Sequence, residues 1–423
     1  MNPRTSITLG ILRLQGDAGL VKLRVRERPI RIAGFRFAGV ACGIKESRRL
    51  DLALIYSETP AAAAAAFTRN RVKAAPVLIA SRHVHRGRAQ AVLINSGNAN
   101  ACTGTAGLRL AAASCRQTGI ALGISPYDVV PCSTGKIGVL LPGVAMVRGI
   151  ARAVRALTPG GLWRAARAMM TTDAFPKVAS RRLRLGGRVV TIIGLAKGAG
   201  MIAPDIATLL VCVLTDARVA APALRRFLRA AVAASFNAIT VDGDTSTNDT
   251  VIMLANGAAG NAPLRPGSTA GRRFAAALSS VTGALADMVV ADGEGATKRV
   301  RVTVEGARTQ AAARRVARSV AESQLVKTAL FGGDPNWGRI VCAAGYSGAP
   351  LRPERLSVRI GKVPVLRRGE PAGTATVRRA AAVMRKAAFA ITLDVGTGGR
   401  GTATVTTSDL SPAYVRFNSA YST

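Results

Sequence analysis

Thr208 is the residue on which covalent chemistry can be built. It follows the glycine-rich stretch Lys197-Gly198-Ala199-Gly200-Met201-Ile202-Ala203-Pro204-Asp205-Ile206-Ala207 and precedes the apolar run Leu209-Leu210-Val211-Cys212-Val213-Leu214. That run reads as a buried strand, which puts Thr208 at its leading end behind a loop. Breakage of the Ala207–Thr208 bond would give a new N-terminus with a hydroxyl nucleophile beside an α-amine. An unperturbed α-amine titrates near about pH 7.7–8.0, so it can serve as base for its own hydroxyl.

Histidine offers little competition. The chain has two, His83 and His85, in the basic stretch Ser81-Arg82-His83-Val84-His85-Arg86. On a strand they share a face, and the flanking arginines mark that face as wet, so a triad built on either is not expected. Six cysteines (Cys42, Cys102, Cys115, Cys132, Cys212, Cys342) are scattered without CxxC spacing, which predicts free, buried thiols. No metal site is expected from so few histidines and carboxylates.

Four polar loops can supply the remaining parts of a site. Asn95–Thr103 brings amides and hydroxyls without charge. Ser133-Thr134-Gly135 brings a hydroxyl and close-approach backbone N–H groups, the parts an oxyanion hole needs. Val241–Asp249 concentrates acids in a chain poor in them, and Asp292-Gly293-Glu294-Gly295 sets one carboxylate between glycines after a helix. Each also has a plain structural reading. Asn-Ser-Gly and Ser-Thr-Gly runs make ordinary turns, and glycines beside Glu294 can end a helix. Lys197 before a glycine loop can be solvated. Asp242–Asp249 lacks a calcium loop's glycine and glutamate, having Thr247 and Met253 in those places.

The elements that must hold these loops are legible in outline. Strands are predicted at Ile30–Val40, Gln90–Ile94 and Val129–Cys132, the last two emptying into polar turns. Helices are predicted at Leu108–Gln117, Val144–Leu157, Leu162–Met170, Pro222–Ser235 and Gly271–Val289. Arg182–Ile193 reads as a hairpin turning at Gly186-Gly187 and leading into the Lys197 loop. Beyond Gly295 strands and helices alternate anew, so residues 1–296 and 297–423 are read as two lobes.

Composition sets the outer limits. The chain has 423 residues, is 49% hydrophobic and carries 59 Lys+Arg against 22 Asp+Glu, a formal charge of +37. Length and apolar content suit a globular α/β protein with an ample core. No apolar run approaches the roughly 20 residues needed to span a bilayer. The first thirty residues lack a signal peptide's apolar centre; Asp17 and Glu27 count against a transit peptide, so a cytoplasmic location is expected. The positive charge raises nucleic acid as a partner. It is spread over every segment, however, aromatics are 4%, and no RNP, KH or zinc-finger pattern is present. Nucleic acid is therefore not the expected partner.

In this order the segments resemble the ornithine acetyltransferase family (glutamate N-acetyltransferase, ArgJ) of the cyclic arginine pathway. The matching runs are Gly34–Lys45, Thr68–Pro76, Asn95–Gly104, Ser133–Gly138, Thr171–Lys177, Lys197–Leu210, Asn237–Thr250, Ala291–Lys298, Asp334–Ile340 and Tyr414–Thr423. The resemblance implies a layered α/β sandwich with N-terminal-nucleophile-like chemistry and a smaller C-terminal lobe whose tail returns to the site. It implies self-cleavage between Ala207 and Thr208, and an α2β2 assembly of the two products. Thr208 would carry an acetyl group from N2-acetyl-L-ornithine to L-glutamate. Thr134 and Gly135 would form the oxyanion hole. Lys197, Thr208, Glu294, Asn418, Thr423 and a threonine of the Thr171-Thr172 pair would contact substrate. No cofactor is implied; acetyl-CoA as a second donor stays open. A self-cleaving threonine amidase or peptidase and a basic nucleic-acid-binding protein are the alternatives. Ala199, Asp205 and Ala420 depart from the family's usual serine, asparagine and acid.

Overall fold

The computed structural model describes residues 7–9, 27–203 and 209–420; Asp205, Ala207, Thr208 and Thr423 lie outside the described residues. The first ten strands are β1 (Ile7–Leu9), β2 (Phe35–Val40), β3 (Leu52–Phe67), β4 (Arg88–Asn98), β5 (Val129–Lys136), β6 (Lys177–Leu185), β7 (Arg188–Lys197), β8 (Leu210–Thr215), β9 (Ile239–Thr240) and β10 (Thr250–Ala255). All but β9 form a nine-stranded sheet ordered β1-β6-β7-β8-β10-β3-β4-β5, with β2 also on β3. The β8–β10 and β4–β5 pairs are parallel and the others antiparallel.

Alternation along β8 shows how the layers are made. Val211 and Val213 point to one face, Leu210, Cys212 and Leu214 to the other, and all are buried. Helices α1 (Ala75–His85), α2 (Gly104–Leu122), α3 (Gly143–Arg155), α4 (Leu162–Met169), α5 (Ala221–Ala234) and α6 (Thr269–Ala291) cover both faces. Leu224, Phe227, Leu278 and Leu285 of α5 and α6 pack on the valine face, and Leu162, Ala166 and Met169 of α4 pack on the other. By length and apolarity α6 could span a membrane. Its buried stripe Phe274, Leu278, Val281 and Leu285 makes it a core helix instead.

The second sheet takes β9 together with β11 (Arg299–Ala307), β12 (Ser357–Ile360), β13 (Val363–Arg367), β14 (Glu370–Pro371), β15 (Ala388–Asp394) and β16 (Gly401–Ser408). Their order is β14-β13-β12-β15-β11-β16-β9. Helices α7 (Gln310–Glu322), α8 (Gln324–Gly332), α9 (Trp337–Gly345) and α10 (Thr374–Met384) close its core, and α11 (Pro412–Ala420) runs back toward the first sheet. The fold is thus layered α/β with two sheets.

Three sequence expectations are corrected. Asn95–Asn98 and Ser133–Lys136 are strand, not turn, because the parallel β4–β5 ladder carries their backbone groups on through Ser96–Thr134 and Gly97–Gly135. His83 is buried on a helix, with Nδ1 2.7 Å from the Val129 carbonyl, so it is a core residue and not part of a wet strand. Cys102 and Cys342 are exposed, whereas the other four thiols are buried.

Candidate active site

Three strand ends and two strand starts meet at one edge of the large sheet. Lys197 closes β7 and pairs with Leu210, which opens β8. Leu209 donates its N–H to Asp249 Oδ1 at 2.8 Å, just before β10. On the far side β4 and β5 deliver Asn95–Asn98 and Ser133–Lys136. Asn248 ties these walls together: its Nδ2 donates to the carbonyls of Ala99 (2.7 Å) and Ser133 (2.9 Å). A buried amide with both hydrogens engaged fixes loop position better than apolar contact can.

Lys197 reaches across this edge, its Nζ donating to Thr134 Oγ1 at 3.2 Å. An ammonium has no lone pair, so Thr134 must accept here and its own O–H stays free to donate. Next to it Gly135 has φ +133°, and a Cβ there would stand 2.3 Å from the carbonyl carbon of Gly97. Only glycine permits that approach of β5 to β4. Burial pushes the Lys197 ammonium below its ordinary value, with Asp173 acting most strongly in the opposite direction.

The carboxylate comes from the turn after α6. Glu294 donates its backbone N–H to the Ala199 carbonyl (2.9 Å), and its Oε2 accepts from Asn418 Nδ2 (3.1 Å). Gly295 lets α11 approach: a Cβ there would lie 2.4 Å from the Tyr414 nitrogen. Gly200 faces Glu294 equally closely, an added Cβ lying 2.3 Å from Oε2. Asp242 pins the same loop by accepting from the N–H groups of Met201 (2.6 Å) and Ile202 (2.8 Å). Burial lifts Asp242 to about 6, even though those N–H groups favour its charged form.

Behind the cleft lies a buried charge cluster that residue spacing does not announce. Lys177 Nζ donates to Asp173 Oδ1 at 2.7 Å and to Asp292 Oδ2. Burial alone would drive Lys177 down, but the two carboxylates reverse the direction and raise it. Asp173 is likewise held well below the usual carboxylate range, its burial outweighed by Lys177 and Lys197. The signal available in the sequence was the Asp173–Lys177 spacing, which outside a helix says nothing about contact.

Together these parts enclose a cleft of about 710 Å³ including its open mouth. Thr134, Gly135, Lys197, Glu294 and Asn418 all line it, and so do both Thr171 and Thr172. Asp242, from the acidic Val241–Asp249 loop, lines it too, as does Tyr414, which residue spacing did not single out. Ala199 contributes its backbone carbonyl, while Ala420 is exposed at the end of α11. Among the described residues no three His, Cys, Asp or Glu side chains are grouped to hold a metal ion. A hydroxyl and glycine N–H beside a cation, facing a carboxylate, suit acyl transfer between amines.

The ArgJ family model matches residues 36–423. The chain belongs to the ArgJ family. An arginine biosynthesis bifunctional protein ArgJ from Geobacter sulfurreducens is 50% identical over 392 residues, covering 93% of this chain and 100% of its own. The ArgJ of Symbiobacterium thermophilum is 49% identical over 393 residues, covering 92% and 97%. A crystal structure of ArgJ from Bacillus halodurans, at 40% identity and TM-score 0.47, covers 49% of this chain and 96% of that one.

Proposed function

We propose that this chain is an arginine-biosynthesis acyltransferase that moves acetyl from N2-acetyl-L-ornithine to L-glutamate through an ester on Thr208. The observation that carries the reading is the meeting of Thr134, Gly135, Lys197, Glu294 and Asn418 in one cleft. Self-cleavage at Ala207–Thr208 frees the Thr208 α-amine, which takes the hydroxyl proton as Oγ1 attacks the acetyl carbonyl carbon. The negative charge that forms on the carbonyl oxygen is met by the Thr134 O–H and the Gly135 N–H. Collapse breaks the amide C–N bond, and ornithine leaves with the proton on its amine. Glutamate then attacks the ester with its own amine, and Thr208 regains its hydroxyl.

Glu294 holds the attacking or leaving amine and moves its proton. Lys197 pairs with a substrate carboxylate, and a threonine of Thr171-Thr172, Asn418 and Thr423 complete the contacts. Lobes 1–296 and 297–423 share the site. The products 1–207 and 208–423 assemble as α2β2 in the cytoplasm. Acetyl-CoA as a second acetyl donor is read out as coenzyme A released when glutamate is present.

The test is denaturing electrophoresis with N-terminal sequencing, alongside ornithine release from N-acetylornithine. Two chains, one beginning at Thr208, and glutamate-dependent release are expected. Thr208→Ala should give one uncut, inactive chain. Fully active intact wild type overturns the mechanism, and release without glutamate replaces transfer by amidase activity.

A further inference from the structure

The Asp173 side chain sits fully buried between two walls of the cleft, and its carboxylate accepts hydrogen bonds from both. Oδ2 accepts from the Thr171 N–H (2.9 Å) at the start of the threonine pair. Oδ1 accepts from the Gly198 N–H (2.7 Å), on the residue that follows Lys197, and from Lys177 Nζ. Lys177 joins this pair to Asp292, whose carboxylate also accepts from the Ala174 N–H at 3.1 Å. Asp292 is two residues from Glu294. One buried cluster therefore reaches the Thr171–Thr172 turn, the Lys197 strand end and the Glu294 turn.

The charges facing Lys197 are Asp173, Glu294 and Asp249, which favour its ammonium, and Lys177, which opposes it; Lys45 is a further cation within electrostatic range. Asp173 is the strongest of the favourable ones. A buried ammonium without a counter-charge gives up its proton, and a neutral amine binds carboxylates poorly. We infer that Asp173 is a positioning residue that serves Lys197 as counter-charge, with Lys177, itself shared with Asp292, neutralising Asp173 so that it can be buried there. The inference deepens the proposed function and rests on Lys197 as the partner of the substrate carboxylate.

Glutarate is the probe, because it carries glutamate's carboxylates without an amine that titrates at high pH. Its dissociation constant is measured on purified protein from pH 6 to 10. In wild type, binding weakens as pH rises through the Lys197 titration. Asp173→Asn keeps the shape and should move that weakening down by a unit or more, about tenfold in affinity on the alkaline side. At pH 6 its affinity should stay within about threefold of wild type on the same scale. The double variant Lys177→Met/Asp292→Asn removes one cation and one anion and leaves Asp173 in place, so its limb should move up.

Opposite shifts support the inference, since mere disorder of the site moves both variants the same way. Equal limbs, or shifts of one sign, overturn it. Should Asp173→Asn not fold, the double variant decides: an upward shift supports the inference, and none or a downward one overturns it. Lys197→Met separates the underlying reading. If it binds glutarate as wild type does, Lys197 is not the carboxylate partner and the inference falls with that reading. If it loses binding while Asp173→Asn keeps the wild-type limb, only the role of Asp173 is refuted.

Discussion

Replacing Gly135 by alanine adds one methyl group at the tightest point between β4 and β5. The new Cβ would lie 2.3 Å from Gly97 C and 2.5 Å from Asn98 N, while ordinary contact begins at 3.4 Å. Both neighbours are backbone, so no rotamer change can relieve the overlap, and β5 must retreat by about 1 Å. Alanine at φ +133° adds backbone strain of about 1–3 kcal/mol, and overpacking a further 1–3 kcal/mol or so. A stability loss of about 2–6 kcal/mol is expected from the two together. The retreat also carries the Gly135 N–H and Thr134 away from the reacting carbonyl. Loss of one such donor lowers kcat by about 10²–10³-fold. Initial rates of ornithine release, with thermal melting and N-terminal sequencing on the same preparation, measure both effects. A folded, cleaved Gly135→Ala protein with kcat within about threefold of wild type would show that this N–H does not stabilise the oxyanion.

Gly200→Ala should separate activity from stability. Its Cβ would fall 2.3–2.6 Å from the Glu294 carboxylate, the end of a flexible side chain that can swing away. Melting should change by less than about 1 kcal/mol equivalent, while kcat/KM falls by about tenfold or more as Glu294 leaves its place. Unchanged kcat/KM would exclude a role for Glu294 at its present position. Asp242 makes a pH-dependent prediction. Burial raises it to about 6 in the folded chain, against about 3.9 unfolded, so the native state holds the proton more tightly. Its contribution to stability is full below about pH 4 and is lost as pH rises through about 6, by at most about 3 kcal/mol. Asp242→Asn should therefore gain on wild type in urea unfolding between pH 4 and 7.5. A difference independent of pH refutes the reasoning.

How much of this was legible in the chain depends on the range over which each feature is encoded. The β6–β7 hairpin, the buried β8 strand and α6 follow from period and glycine placement among near neighbours. The Lys197–Thr208 motif, the Ser133-Thr134-Gly135 run and the Glu294 turn could be singled out as chemistry for the same reason. The resemblance carried by ten ordered runs gave the family. His83 was misread because its flanking arginines describe the helix surface, while its own ring turns inward to the Val129 carbonyl.

Only the tertiary structure decided which groups meet. Gly135 lies against Gly97, Asn248 bridges Ala99 and Ser133, and Gly200 faces Glu294 across more than ninety residues of chain. Asp173 and Lys177 find Asp292 from 115 residues away in sequence, measured from Lys177. Strand and turn preferences are set by a residue's neighbours in sequence. A buried charge takes its partner from whatever packing brings within a few ångströms in a low-dielectric interior. Sequence thus offered a candidate nucleophile and candidate helpers, and the fold determined the charges that surround the described ones.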